Sequence, residues 1–377
     1  MEIIKFELLK ISDIIIISAL IVIFLIQLIY LIRYFRLARH KDIVGSENPS
    51  QVTIITSVRN EEEHIRQIVE KFNEQQFENY QILVINYCSE DNTGGILSYL
   101  AESNPRLKVT SLSQETRFSE KQAINIGLKG ASSPWIILLP SSTGQLTPDW
   151  LTGMCNLISP ETDILIGYTN VERGKGFRNL ICRLERFQQF MISGAWTLAG
   201  SPFVFNESNV LFKKTMYFET SGFRHKLNRN FANLELIFNE NMRNGKVAVS
   251  TDPNLAIREH VDDDRGDHIR LLKKGVQVRQ SLTPSKKIGL FLDDLTRIIF
   301  PAIVATAIIL HPEYWITFSV LPFVYLILLA IMIKMLMNRL NERKIFLSSF
   351  VYILIKPILN WWFFWSVYII HRRSRWN

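Results

Sequence analysis

Apolar residues are distributed in two ways along this chain. Over residues 14–32 they run almost unbroken, interrupted only by Ser18 and Gln27. That is about the 20 residues a helix needs to cross a bilayer. From residue 51 they come instead as short runs separated by polar, helix-spaced stretches. QVTIITSV, YQILVINY, RLKVTSL and WIILLP read as strands. Between them Ile65, Ile68, Val69 and Phe72 recur at helical spacing, and TGGILSYLAES and KQAINIGLKGA continue the alternation. Strand and helix alternating at this interval predict a mostly parallel sheet with helices on both faces, an α/β fold. Ligands of such sheets sit beyond the carboxyl ends of the strands, so the loops at 57–62, 86–93 and 140–145 carry the candidate chemistry.

Further along, DILIGYTNV and KVAVS read as strands, and LELIFNENMRNG and the amphipathic stretch 177–196 as helices. Long apolar blocks return at 298–310, 315–337 and 345–370. The expected organisation is a transmembrane helix at 14–34, a cytosolic domain at 45–260, a basic interfacial segment at 261–297 and C-terminal membrane helices over 298–370. No small-residue cleavage site follows the first apolar run, which argues for a retained span and not a signal peptide. Its basic flank, from Arg33 to Lys41, points to the cytosol, leaving the N-terminus outside. Two topologies stand for the tail. Three spans would put the basic end, from His371 to Arg375, outside; two spans plus a re-entrant or interfacial piece would return it to the cytosol.

The formal charge of +8 adds little to this picture, because much of the excess flanks apolar segments. Such flanks favour an anionic membrane surface and argue against nucleic acid as a partner. Cys88, Cys155 and Cys182 are odd in number and form no CxxC spacing, so neither a disulfide framework nor a zinc site is indicated. A reducing, cytosolic setting fits them, and with the apolar segments it suggests an inner-membrane protein.

VTIITSVRNEEEHI resembles the opening strand and loop of the family 2 glycosyltransferases, V-S-V-I-I-P-A-R-N-E-E. ILVINYCSEDNT is similar to their second strand and its D-D-G-S-T-D-G-T loop, KQAINIGLKGASSPWIILL to their K-x-x-A-L-N-x-G segment, and TPDWL to the residues after their metal-binding D-x-D. ESNVLFKKTMYFETSGF is similar to their later G-x-N-L-A-F-R-K and G-G-F motifs. The resemblance spans about 51–257. It implies a GT-A (Rossmann-like) fold, a nucleotide-sugar donor, a Mg²⁺ or Mn²⁺ cofactor, and an envelope lipid or polysaccharide as acceptor. It also implies donor-site roles for Arg59, Asn60, Glu61, Asn86, Asp91, Lys121, Ser141 and Thr143, and the base position for Asn233.

The chemistry of that family needs acids where this chain lacks them. Ser141 and Thr143 stand at both D-x-D aspartates, and neutral hydroxyls are poor ligands for hard cations. Asn86 and Tyr87 replace the nucleotide-binding aspartates, leaving Asp91. Ala232 and Asn233 occupy the base motif, and an amide takes no proton at neutral pH. The terminal Q-x-x-R-W is missing its tryptophan, with Gln277, Arg279 and Gln280 in its place. No metal ligand set is therefore expected.

Each candidate carries a plain structural alternative. Arg59, Asn60 and Glu61 line a donor pocket or form a turn and helix cap. Lys121 contacts the nucleotide or is solvated. Glu235 is a displaced base or a surface charge. Asp262, Asp263, Asp264, Asp267 and His268, with His260, form a substitute metal site or a solvated loop. Arg270, Lys273, Lys274 and Arg279 hold a diphosphate or, with Lys286 and Lys287, press on anionic lipid. Phe187, Phe190 and Trp196 make an acceptor platform or a packed stripe. Two functions follow: a membrane-anchored family 2 transferase, or a catalytically inactive pseudo-glycosyltransferase serving as a binding or scaffold subunit for a partner membrane protein or an active glycosyltransferase.

Overall fold

The computed structural model describes residues 11–116, 118–229, 231–260 and 266–373. They form two compact units. One comprises His40–Thr283 with Arg339–Glu342, and the other is built from the long helices at both ends of the chain. The division at Thr283 falls inside the stretch expected to be a single basic segment.

The first unit is built on a sheet whose strands are β1 (Val52–Val58), β2 (Tyr80–Tyr87), β3 (Leu107–Leu112), β4 (Trp135–Leu138), β5 (Ile164–Ile166), β7 (Val210–Lys213) and β8 (Val247–Val249). Their spatial order is β3-β2-β1-β4-β7-β5-β8. β1 pairs in parallel with β2 and β4, Ile54 lying opposite both Ile82 and Ile137. β7 runs antiparallel between β4 and β5, so the sheet is mixed, an inversion that strand-helix alternation could not reveal. The expected strand DILIGYTNV divides into β5 and β6 (Thr169–Val171), and β6 pairs with β9 (Ile257–Glu259) in a separate ribbon. The break has a nonlocal cause: Asn209, at φ 59°, donates its side-chain amide to the carbonyls of Tyr168 and Leu255.

The central strands are buried on both faces, as parallel strands require. Val52, Ile54, Ile82, Val84 and Ile137 meet α2 (Ile65–Asn73) through Ile65, Ile68, Val69 and Phe72, and meet α5 (Trp150–Cys155) through Trp150, Leu151 and Met154. Ile55 and Ile85 face α4 (Ser119–Gly130) so closely that a Cβ at Gly127 would lie 2.8 Å from each of them. The remaining helices of this unit are α3 (Thr93–Ser103), α6 (Phe177–Leu198), α7 (Thr215–Glu219), α8 (Leu234–Asn241) and α9 (Asp267–Ser281). In α6, Phe187, Phe190 and Trp196 are buried, so they are core packing and not an acceptor platform.

The second unit contains α1 (Ile11–Ala38), α10 (Pro284–Leu310), α11 (Trp315–Arg339) and α12 (Phe346–Arg373). Among the described residues three helices are long and apolar enough to span a membrane: Ile14–Ala38, Pro312–Arg339 and Phe346–Val367. The block 298–310 is the second half of α10. The first half of that helix buries Asp293, Asp294 and Arg297, with Tyr34 donating to Asp293 Oδ2 at 2.8 Å and Asn360 to Asp294 Oδ2 at 2.9 Å.

Glu342, fully buried in the first unit, accepts from Tyr168 at 2.7 Å, Asn170 at 2.8 Å and Arg183 at 3.1 Å, and also pairs with Arg258. Burial alone would raise its pKa; Arg258 and these hydrogen bonds outweigh burial and hold the carboxyl below its usual range. Removing it would strand two guanidinium groups. Glu342→Ala is expected to cost roughly 3 kcal/mol, read as a lower midpoint in denaturant unfolding of the detergent-solubilised chain.

Candidate active site

The three loops expected at the carboxyl edge of the sheet do converge, and their polar groups are spent largely on one another. Asn60, at φ 53°, takes the left-handed conformation that asparagine tolerates best among residues with a side chain. Its Oδ1 accepts from the Glu90 amide at 2.9 Å, and its own amide donates to Ser89 Oγ at 3.0 Å. It therefore joins two loops and does not cap α2, whose N-cap residue is His64. Asp91 accepts from the Glu62 amide at 3.1 Å and from Thr93 at both its amide and its hydroxyl. Asn86 is buried and accepts from Ser89 Oγ at 2.5 Å. Arg59 lies at the rim, paired with Glu115 at 2.7 Å.

At the D-x-D position, Ser141 Oγ donates to Glu61 Oε1 at 2.8 Å, while Thr143 Oγ1 donates to the Pro140 carbonyl at 2.7 Å. Thr143 is only 2% exposed. Its loop is stitched to β9: Gly144 N reaches the Arg258 carbonyl at 2.6 Å and His260 N reaches the Ser142 carbonyl at 2.7 Å. The approach is close enough that a Cβ on Gly144 would sit 2.2 Å from Glu172 Oε1. A divalent cation, which the resemblance implies, does not fit this donor set. One hydroxyl is buried against its own turn, the other is tied to Glu61, and among the described residues no group of three or more His, Cys, Asp or Glu side chains could hold a metal ion. His260 faces Glu172 at 3.5 Å and Asp267 pairs with Arg270 at 3.0 Å. Asp262, Asp263 and Asp264 lie outside the described residues.

A second cluster gathers at the start of α8. Lys121, expected at the surface if not binding a nucleotide, is 5% exposed; its ammonium donates to the carbonyls of Arg229 at 3.0 Å and Ala232 at 2.6 Å and to Asn233 Oδ1 at 3.0 Å. Burial holds its pKa below the usual lysine range against the pull of Glu207, Glu120 and Glu235. The Asn233 amide nitrogen donates to Glu120 Oε1 at 3.0 Å and Glu207 Oε1 at 3.3 Å. The side chain at the family's base position is thus held as an amide, acceptor toward a cation and donor toward two carboxyls. Glu235 is not a surface charge: it is fully buried, accepts from the Asn233 amide at 2.9 Å and lies 2.5 Å from Lys274. Burial would raise its pKa, but Lys274 outweighs that and holds it low. Lys274 is accordingly turned inward and not toward a lipid surface, and Arg279 lies over the Phe205 ring.

Glu207 completes the cluster and was not singled out from sequence. Its Oε2 accepts from Leu234 N, the first amide of α8, at 2.6 Å. Burial, then the neighbouring Glu235, push its pKa up to about 8, so it carries a proton at neutral pH. The signal available in the sequence was an acid in ESN, where the family motif has glycine.

A family model, Glycosyl transferase family 2, matches residues 53–225. The match runs from β1 through β7 of the first unit, so this region is similar to family 2 glycosyltransferase domains. The fold agrees: the chain is similar to a mannosyltransferase, PcManGT from Pyrobaculum calidifontis, solved with GDP-Man and Mn²⁺, at 18% identity and a TM-score of 0.55, covering 90% of this chain and 98% of that one. S. aureus TarS 1-349 is matched at 14% identity and a TM-score of 0.41, covering 82% and 88% of the two chains. Mannosyl-3-phosphoglycerate synthase from Rubrobacter xylanophilus is matched at 17% and 0.41, covering 61% and 73%. No curated protein matches the sequence. The mostly parallel mixed sheet with flanking helices is a GT-A fold. Within this fold β1, β2 and β4 deliver their loops to one edge of the sheet, where the hydroxyls of Ser141 and Thr143 are bonded internally.

The raised pKa of Glu207 has a signed consequence. Between its ordinary value of 4.5 and about 8 the folded chain keeps a proton that the unfolded chain releases, so this residue's contribution to stability falls as pH rises through that window. Glu207→Gln removes the dependence and still offers Leu234 N an acceptor. The difference in melting temperature, variant minus wild type, is expected to increase from pH 4.5 to 8 and then level off, as followed by thermal unfolding in matched buffers.

Proposed function

We propose that this chain is a catalytically silent family 2 glycosyltransferase fold, anchored in the inner membrane with its GT-A domain in the cytosol, that serves as a binding or scaffold subunit of a membrane complex. The observation that carries this reading is the setting of Asn233. Its amide donates to two carboxyls while its oxygen accepts from Lys121. An aspartate there would place a third carboxylate against Glu120 and Glu207, so the surroundings suit the amide and disfavour the base. The hydroxyls at Ser141 and Thr143 support the same conclusion, since each already has a protein acceptor.

One feature favours a second reading, transfer from a nucleotide sugar to an envelope lipid or polysaccharide acceptor without a carboxylate-held metal. Glu207 Oε1 bears a single long bond from Asn233, and its carboxyl titrates near neutrality, the range suited to a general base. When ionised it would take the proton of an acceptor hydroxyl as that oxygen bonds to the anomeric carbon and the nucleoside diphosphate departs.

Calorimetry with UDP and Mn²⁺ separates the two readings. The silent reading expects no metal-dependent heat at millimolar ligand and no hydrolysis of nucleotide sugars. Metal-dependent micromolar binding would overturn it; metal-free hydrolysis rising with pH through about 8 and lost in Glu207→Gln would replace it with the second. Asn233→Asp is expected to destabilise the fold by roughly 2 kcal/mol and to create no activity, measured by denaturant unfolding and a nucleotide-release assay.

A further inference from the structure

A pocket of about 450 Å³ opens between α4 and the segment that starts with α7, on a flank of the GT-A domain that the donor loops do not use. Its volume is in the range of small-molecule sites. The polar side chains of its wall are Lys121, Gln122, Asn125 and Lys129 from α4, and Tyr217, Ser221 and Arg224 from α7 and the turn after it; Lys121 already donates to Arg229, Ala232 and Asn233. Two of these have their acceptor atoms occupied inside the protein. Gln122 Oε1 accepts from Thr116 Oγ1 at 3.0 Å, and Asn125 Oδ1 accepts from the Tyr217 hydroxyl at 2.9 Å. The pocket is therefore offered their amide N–H groups. Lys129 and Arg224 are exposed and neither makes an ion pair among the described residues. No acid lines the pocket.

Opposite these donors the wall is aromatic. Tyr217 and Phe223 form its buried floor with ring centroids 5.5 Å apart, and Phe218, 46% exposed, stands at the mouth. The chain reaches this shape through Ser221 and Gly222, both at positive φ. A Cβ on Gly222 would fall 2.6 Å from the Tyr217 ring, so only glycine lets the turn lie against it.

We propose that this pocket binds a phosphate ester, its phosphate held by Lys129, Arg224 and the two amide groups and its organic part resting on Tyr217, Phe218 and Phe223. The chemistry follows from the wall. Donors and cations that make no ion pair among the described residues, in a wall with no acid and with a Ser221 hydroxyl that can itself donate, select an anion rich in acceptor oxygens, and guanidinium in particular suits phosphate. The volume and the three rings exceed what an inorganic anion would fill. The inference does not rest on whether the domain transfers sugars: Lys121 lines both the pocket and the Asn233 cluster, but its ammonium is bonded within that cluster, and none of the four phosphate donors belongs to it.

The test uses the full chain in detergent, titrated calorimetrically with inorganic phosphate, phenyl phosphate and a short-chain phosphatidate. The wild type is expected to bind at least one of the two esters about tenfold or more tightly than inorganic phosphate. The double variant Lys129→Gln with Arg224→Gln is expected to weaken that binding about tenfold or more, two charge-assisted bonds being lost. Both positions are exposed, so the variant keeps the fold, which its melting temperature checks. Phe218→Ala is expected to narrow the preference for esters over inorganic phosphate. Binding of phenyl phosphate assigns a soluble ligand; binding of phosphatidate alone assigns a lipid headgroup. Absence of ester binding at millimolar concentration, or equal affinity in the double variant, overturns the proposal.

Discussion

A buried ammonium must be given acceptors or it will not stay charged, and the ammonium of Lys121 obtains them from one short stretch of chain. By bonding the carbonyls of Arg229 and Ala232 and the oxygen of Asn233, it fixes the approach to α8 against the start of α4. The rest of the cluster follows from that placement. Asn233 can turn its nitrogen only toward Glu120 and Glu207; Glu207 then caps the first amide of α8; and Glu235, in the first turn of the same helix, is left facing Lys274 of α9. Charges that would be costly singly are arranged so that each has a partner, except that Glu207 lowers its cost by keeping its proton.

The carboxyl edge of the sheet shows the same economy. A metal-binding loop must leave carboxylate oxygens unpaired by protein until a cation arrives. Here Ser141 is bonded to Glu61, Thr143 to its own turn, and Asn60 and Asp91 bind the first two loops to one another. The loops are stable without a ligand because they are one another's ligands. The sheet and the loops at its edge have separate physical bases: the first depends on apolar burial of β1, β2 and β4, the second on a few polar groups at their ends.

Much of the fold was legible in the sequence. The period-2 and period-3.6 patterns located β1 to β4 and their helices, because burial on two faces demands near-continuous apolar strands, and the three long apolar helices follow from run length alone. The acid losses at Ser141, Thr143 and Asn233 were equally legible, since they are matters of residue identity. What the pattern concealed had nonlocal causes. β7 runs antiparallel because the chain returns between β4 and β5, and the break between β5 and β6 is held by the amide of Asn209, some forty residues later.

The plain structural alternatives that the structure overturns share one cause. Beside their functional readings, Lys121 and Glu235 carried the alternative of a solvated charge and Asn60 that of a cap, because an ionisable or amide side chain on an amphipathic stretch is usually satisfied by water or by its own turn. Each instead finds a partner remote in the chain: Lys121 at 229–233, Glu235 at Lys274, Asn60 at Glu90. Glu207 went unnoticed because nothing local distinguishes a carboxyl that will be capped, crowded and protonated from one that will be hydrated. Periodicity is a property of neighbours in sequence, so the sequence alone determined β1 to β4, the long apolar helices and the residue types at Ser141, Thr143 and Asn233. Partnership across the fold is not, and only the tertiary structure decided which charges are buried, which are paired and which one keeps its proton.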